Sequence, residues 1–257
     1  MILDKFRIDG KLAIVTGSRR GLGKGIALGL AEAGADIVSF DRCDPEDLRE
    51  KVLALGRKHV WKQVDLLTAK PEDFVRLIDE VVAEFGKLDI LVNNAGICPR
   101  DEILDYSVQY WQDTIQVNLN APWFLAQAAA RQMVKQGQGK IINVASLLSH
   151  QGGLLVPGYT ASKHGVLGFT RAMSNELASK GVNVNSITPG YMHTDLTDPL
   201  ITDPTYIREK LDIEARTPKG RWGTIEDLQG AALLLASDAG EYIQGANIAV
   251  DGGWLAW

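Results

Sequence analysis

Residues 12–25, LAIVTGSRRGLGKG, pass from an apolar, β-branched run through a glycine-rich turn into a helical pattern. That junction is where backbone N–H groups and the positive end of a helix dipole receive an anion. The spacing excludes two familiar phosphate loops. A P-loop would need glycine at Ser18 and a hydroxyl residue after Lys24, where Gly25 stands. A GxGxxG fingerprint would need glycine at Ile26. What remains is Gly17, Gly21 and Gly23 in a TGxxxGxG pattern, whose longer turn still brings bare backbone close to an anion. Ser18, Arg20 and Leu22 complete the candidate contact. An ordinary strand-to-helix turn would look the same, so the loop alone leaves both readings open.

Working outward, short β-branched runs alternate with longer amphipathic stretches, the mark of a parallel sheet covered by helices on both faces. Strands are expected at 12–17, 36–41, 59–65, 89–96, 140–146, 182–190 and 247–253, and helices at about 22–33, 46–56, 72–85, 108–136, 159–179 and 225–237. These make one α/β domain over residues 1–257, doubly wound, with a seven-stranded parallel sheet flanked by helices. Residues 191–221 carry three prolines and an uneven polar pattern, so they are expected to be irregular. Such an insertion beside a sheet's carboxyl edge serves as a substrate lid or as a surface excursion.

The 257 residues are 46% hydrophobic and 23% charged, which suits a soluble protein with a large core. A net charge of −5 gives no basic footprint, which argues against a nucleic-acid partner. The charged N-terminal stretch and the absence of any apolar run near the roughly 20 residues that span a bilayer argue against a membrane partner and for the cytoplasm. Cys43 and Cys98 are far apart, and His59, His150, His164 and His193 lack ligand spacing, so neither a disulfide nor a metal is expected.

Asp41 ends the second strand 18 residues after Gly23, where a carboxylate accepts hydrogen bonds from ribose hydroxyls. It would repel a 2′-phosphate ~5 Å away by ~1.7 kcal/mol at an effective dielectric of ~40, more than tenfold in affinity. Asp41 therefore favours NAD, while Arg20 and Arg42, flanking the same spot, keep NADP open. Asp65, with Leu66 after it, would accept from an adenine amino group or simply start a turn.

The stretch GYTASKHG at 158–165 sets Tyr159 and Lys163 one helical turn apart on a shared face. Together with TGSRRGLG, NNAG at 93–96, Asn118, Ser146 and PGYMHT at 189–194, the chain resembles the short-chain dehydrogenase/reductase family in its form of roughly 250 residues. The resemblance spans the whole chain and implies a Rossmann-type fold and hydride transfer between nicotinamide and an alcohol. It makes Asn118, Ser146, Tyr159 and Lys163 the catalytic set. A free phenol, with a pKa of about 10, is too weak a base at neutral pH. An ammonium ~5 Å away at an effective dielectric of ~20 favours phenolate by ~3 kcal/mol, ~2 pKa units. Ser146 would bond the reacting oxygen. The resemblance also implies that Asn118 holds a water linking Lys163 to solvent; a helix kink ahead of Pro122 is its structural alternative. Asn93, Ala95 and Gly96 would lie under the cofactor, and Lys163 would bond the nicotinamide ribose. Pro189, Gly190, Met192 and Thr194 would seat the nicotinamide amide.

MIL at the start, GRWG at 220–223, VP before GYTASK and the ending IAVDGGWLAW resemble bacterial sugar-acid dehydrogenases of the 2-deoxygluconate 3-dehydrogenase and 2-keto-3-deoxygluconate 5-dehydrogenase type. The implied partner is a carbohydrate, with Arg100, His150, Gln151, Tyr191 and His193 as candidate contacts. That subgroup commonly has a basic residue before VP, where this chain has Leu155 and Val156. Other readings on the same scaffold are an aldose 1-dehydrogenase forming a lactone from a neutral or sulfonated sugar, a 3-oxoacyl carrier-protein reductase, and a non-enzymatic cofactor sensor. Helices 108–136 and 159–179 are apolar on several faces, for example at Trp111, Ile115, Leu119, Trp123, Phe124 and Leu125. With Trp254, Leu255 and Trp257 they point to a homotetramer.

Overall fold

The computed structural model describes residues 1–194 and 197–257. Its seven strands are β1 (Leu12–Thr16), β2 (Asp36–Asp41), β3 (His59–Gln63), β4 (Ile90–Asn93), β5 (Gly139–Val144), β6 (Val182–Pro189) and β7 (Asn247–Val250). All pair in parallel, in the order β3-β2-β1-β4-β5-β6-β7. The chain thus starts mid-sheet, winds outward through β2 and β3, then crosses back to β4. That reversal between β1 and β4 splays the following helices apart and opens a crevice at the strands' carboxyl ends.

Every residue of β1 is buried, because both faces of the sheet are covered. Leu12 and Ile14 point into one core with Leu91, Ile141 and Val184, whereas Ala13 and Val15 point into the other with Ile37, Val92 and Ile142. The first core lies under α3 (Pro71–Phe85), α5 (Ala121–Gln136) and α6 (Pro157–Leu177). The second lies under α1 (Gly21–Glu32), α2 (Glu46–Ala54) and α9 (Gln229–Ala236).

Three expected elements differ. The helix expected over 108–136 is α4 (Val108–Ile115), a five-residue π-turn at Gln116–Asn120, and then α5. Pro122 explains the break: it has no N–H for the Asn118 carbonyl four residues back, and the Ala121 N–H bonds Gln116 O instead. The helix expected over 225–237 opens as a 3-10 turn at Glu226–Leu228 before α9. The segment 191–221, expected to be irregular, contains α7 (Asp198–Thr202), a 3-10 turn at Pro204–Tyr206 and α8 (Ile207–Arg216). Pro204 does not break structure here; it opens its turn at the first position, where no N–H is needed, behind an Asp203 cap that accepts from Thr205 N. Asp195 and Leu196 of that segment lie outside the described residues.

Candidate active site

The glycine loop is fastened to β4 and β2. Thr16 Oγ1 accepts from Asn94 N at 2.9 Å and Ala95 N at 3.0 Å, while Asn94 Nδ2 donates to the carbonyls of Thr16 and Gly17. On the other flank, Ser18 Oγ donates to Ser39 Oγ at 2.7 Å and Arg19 N donates to Asp41 Oδ2 at 3.0 Å. Gly17 has φ +64°, and a Cβ there would sit 2.9 Å from Ala95 Cα. Only glycine meets both conditions.

A cleft of about 490 Å³ follows the loop across the switch point. Of the residues singled out in the sequence, Gly17, Arg20, Gly21 and Leu22 line it, with Asp41, Arg42, Asp65 and Leu66 at the β2–β3 end. Ala95, Gly96, Gly190, Met192 and Thr194 line the other end. Ser18, Gly23, Asn93, Tyr159, Lys163 and Pro189, also expected at the cofactor, do not. Ser18 is fully buried behind the loop, a Cβ at Gly23 would collide with the Gly17 carbonyl, and Asn93 Nδ2 bonds Asn143 Oδ1 and Pro122 O within the sheet. Arg19, Cys43, Leu67, Asn94, Val117 and Thr197 also line the cleft without having been singled out. Asn94 and Thr197 were legible beside NNAG and PGYMHT; Val117 reaches the cleft only through tertiary packing.

An elongated cleft with backbone cradled at a helix start, a carboxylate at one end and small residues along its floor fits a dinucleotide. Among the described residues, Arg20 and Arg42 make no ion pair, so a guanidinium pair and the Asp41 carboxylate share the β2 end.

Tyr159 and Lys163 lie in the first two turns of α6. Lys163 is 4% exposed, donates to Val144 O at 2.6 Å, and holds its ammonium 5.6 Å from the centroid of the Tyr159 ring. Ser146 follows β5 and caps the 3-10 turn at Leu147–Ser149 by accepting from Leu148 N. The electrostatics correct the expectation that Lys163 makes the phenol acidic. In the protein alone burial dominates, pushing Tyr159 up to about 12 against a hydrogen bond with Ser146, and pushing Lys163 down to about 8. Cys98 lies close to both groups, its own thiol pushed up by burial.

Asn118 is buried beneath this pair. Its Oδ1 accepts from Ile97 N at 2.9 Å, and its Nδ2 donates to Ile97 O and Ser162 Oγ. The side chain is thus fully used in tying the loop after β4 to α6, and the group left without an α-helical partner is its carbonyl.

The five candidate substrate contacts separate. Asn247 Oδ1 accepts from Ser186 and Thr188, so its amide N–H donates to His150 Nε2 and holds that ring neutral; burial lowers its pKa in the same sense. Gln151 accepts from Trp254, Tyr191 packs between Trp222 and Trp254, and His193 bonds Asp198 at 2.9 Å. Arg100 is exposed and forms no ion pair among the described residues. No group of metal-ligating side chains occurs among them, and no helix is long and apolar enough to cross a membrane.

Residues 17–255 match the family described as enoyl-(acyl carrier protein) reductase. Across 257 residues and the whole of both chains, the sequence is 50% identical to the 2-dehydro-3-deoxy-D-gluconate 5-dehydrogenase of Dickeya dadantii (strain 3937). The chain belongs to the short-chain dehydrogenase/reductase family. It is also 46% identical over 254 residues to the 2-dehydro-3-deoxy-D-gluconate 5-dehydrogenase of Bacillus subtilis (strain 168), covering 98% of each. The gluconate 5-dehydrogenase of Burkholderia cenocepacia J2315, solved in complex with NADP and tartrate, matches all of both chains with a TM-score of 0.93 at 37% identity. This short-chain dehydrogenase/reductase is therefore an NAD(P)-dependent oxidoreductase acting on CH–OH groups.

Proposed function

We propose that the enzyme interconverts a secondary hydroxyl and a ketone on a sugar acid, with Tyr159 exchanging the hydroxyl proton. The observation that carries this reading is the buried Lys163 ammonium 5.6 Å from the Tyr159 ring centroid, with the Tyr159 hydroxyl bonded to Ser146 at the end of β5. In oxidation the Tyr159 oxygen takes the alcohol proton as the carbon–hydrogen pair departs as hydride. When bound, the dinucleotide accepts that hydride. Ser146 donates to the substrate oxygen while it carries charge. Lys163 keeps two N–H groups beyond the one given to Val144 O, and its charge opposes burial in favour of phenolate. The Asn118 carbonyl, released by Pro122, is the group to hold a water that returns the proton to solvent. In reduction the same phenol donates, the state that its raised pKa favours.

The sugar-acid assignment draws on the full-length relatives named for such substrates and on Arg100, an exposed guanidinium in the loop after β4 with no ion pair among the described residues. We favour NAD through Asp41, with NADP accepted through Arg20 and Arg42. The aldose 1-dehydrogenase reading is kept by one observation: Leu155 offers no second cation for a carboxylate. The segment 191–221 is proposed as the substrate lid, since its Thr194 and Thr197 line the cleft.

The deciding experiment follows nicotinamide absorbance with NAD or NADP against hexonates, aldoses, sulfonated sugars and acyl thioesters. Turnover of hexonates supports the proposal, and turnover of aldoses alone replaces it with lactone formation. Activity only on acyl thioesters with NADP would instead identify a carrier-protein reductase. Dinucleotide binding without any turnover would identify a sensor. We further propose a cytoplasmic homotetramer. Val108, Tyr110 and Trp111 are 72%, 41% and 44% exposed at the start of α4, an apolar surface suited to a second copy. Light scattering of the purified protein tests it.

A further inference from the structure

The ending GGWLAW was expected to serve an interface, yet Trp254 is 5% exposed within its own chain while Trp257 is 79% exposed. Trp254 touches three segments that are remote in sequence. Its indole N–H donates to Gln151 Oε1 at 3.3 Å, in the loop that begins at Ser146. Its ring packs on Tyr191 at 4.8 Å, where the chain leaves β6. The Arg216 guanidinium, in the last turn of α8, lies 4.0 Å from its centroid, a cation–π contact.

The turn that presents Trp254 is built for this position. Gly252 and Gly253 have φ +64° and +94°, and the Asp251 carboxylate accepts from Gly253 N and Leu255 N. Cβ atoms at the two glycines would press on Thr217 and Pro218, the exit from α8, and Lys219 N bonds Gly252 O at 2.9 Å. The entrance to the same segment is closed by Gly223 N on Tyr191 O and His193 N on Gly223 O. Both roots of the 194–216 segment are therefore joined to one aromatic assembly, and so is the loop that carries Ser146.

We propose that Trp254 is a positioning residue: it holds α8 and the Ser146–Gln151 loop in one register, so that the two rims of the substrate space keep their spacing. The inference rests on the dehydrogenase reading above for its kinetic effect only. Trp254→Ala should lower kcat/KM for the sugar about tenfold, chiefly through KM, while the dissociation constant of the dinucleotide stays within about twofold because neither Trp254 nor the Gln151, Tyr191 and Arg216 side chains it touches line the dinucleotide cleft. Trp254→Phe keeps the ring and should recover most of the loss. Arg216→Gln, which removes a surface cation without opening the core, should show the same split to a smaller degree and covers the case in which Trp254→Ala does not fold. Amide hydrogen exchange provides a readout independent of substrate: residues 207–216 and 147–153 should both exchange faster in Trp254→Ala or Arg216→Gln, with α1 unchanged. If only one segment responds, or neither, or if dinucleotide affinity falls in step with KM, the proposal is overturned. A wild type that turns over no sugar defeats the functional reading, and the exchange data still decide this one.

Discussion

The dinucleotide half and the substrate half of the cleft are held in different ways. The first is made of main chain and short side chains bonded to strands: Thr16 on Asn94 and Ala95, Ser18 on Ser39, Asp41 on Arg19. The geometry of its glycine loop follows from sheet register. The second is made of long side chains that satisfy one another: His150 with Asn247, Gln151 with Trp254, His193 with Asp198. Each such pair ties a side chain to another part of the fold. The lesson is that the cofactor half is rigid by construction, whereas the substrate half is set by a few exchangeable contacts, as expected of a scaffold whose specificity lies on loops.

Tyr159 is the proposed proton-exchanging group, and its removal is the strongest way to separate the two halves. Tyr159→Phe should reduce kcat by about 10²- to 10⁴-fold, the usual worth of a positioned acid or base. Dinucleotide affinity, measured by fluorescence titration, should stay within about twofold, since the hydroxyl is not needed to seat the cofactor. Loss of both together would show that the halves are not separable.

The pH profile is the next largest effect. The proposed oxidation uses a phenolate and an ammonium in the same molecule, and burial raises the phenol to about 12 and lowers Lys163 to about 8. Below the lysine value, kcat/KM for the alcohol should rise up to about tenfold per pH unit as phenolate accumulates. Above it the rise should flatten, since each gain in phenolate is offset by loss of ammonium. Ketone reduction needs the neutral phenol and should not rise over the same range. A profile of reduction that climbs with pH would contradict the proton role given to Tyr159.

Asp41 tests the cofactor half alone. Asp41→Asn removes a charge beside the site of a 2′-phosphate and should move the NADP-to-NAD ratio of kcat/KM by about tenfold toward NADP. The KM for the sugar should not change. A shift in sugar KM would mean that the strand-borne half reports to the loop-borne half after all.

The sequence made the first half legible and the second only partly so, for a physical reason. All seven strands fall where β-branched runs predict them, and residues such as Gly17, Gly21 and Asp41 can be placed because their spacing follows the strand–turn–helix geometry. Gly23 and Asn93 were read as cofactor contacts, but their small volume and amide serve packing between the loop, β4 and β5. His150, Gln151, Tyr191 and His193 were chosen as polar groups near the catalytic residues. Nothing local in the chain shows that Asn247, Trp254, Trp222 and Asp198 claim them, because every one of those partners comes from elsewhere in the fold or from the far side of a turn. The phenol's pKa was misjudged in the same way: a one-turn Tyr–Lys spacing reveals the charge but not the burial that opposes it.

The smallest expected effect concerns the strain stored in the substrate half. Leu155 has φ +66°, the one positive-φ residue other than glycine among the described residues, and its carbonyl accepts from Asp101 N at 3.0 Å. A left-handed leucine costs roughly 1–2 kcal/mol, since Cβ crowds the following carbonyl oxygen. Glycine removes that penalty but returns roughly 0.5–1 kcal/mol to the unfolded chain as entropy. The side chain is 45% exposed, so its loss forfeits about 1 kcal/mol of burial, while the Asp101 bond uses main chain that glycine retains. The three effects nearly cancel, so Leu155→Gly should leave stability within about 1 kcal/mol of the wild type, a shift of a few degrees at most in Tm for a chain of this size. The cofactor half should register nothing. A loss well beyond about 1 kcal/mol would mean that the Leu155 side chain, and not its carbonyl, is what holds the 150–156 loop against Asp101, and that this rim is held by packing, where the dinucleotide half is held by hydrogen bonds to strands.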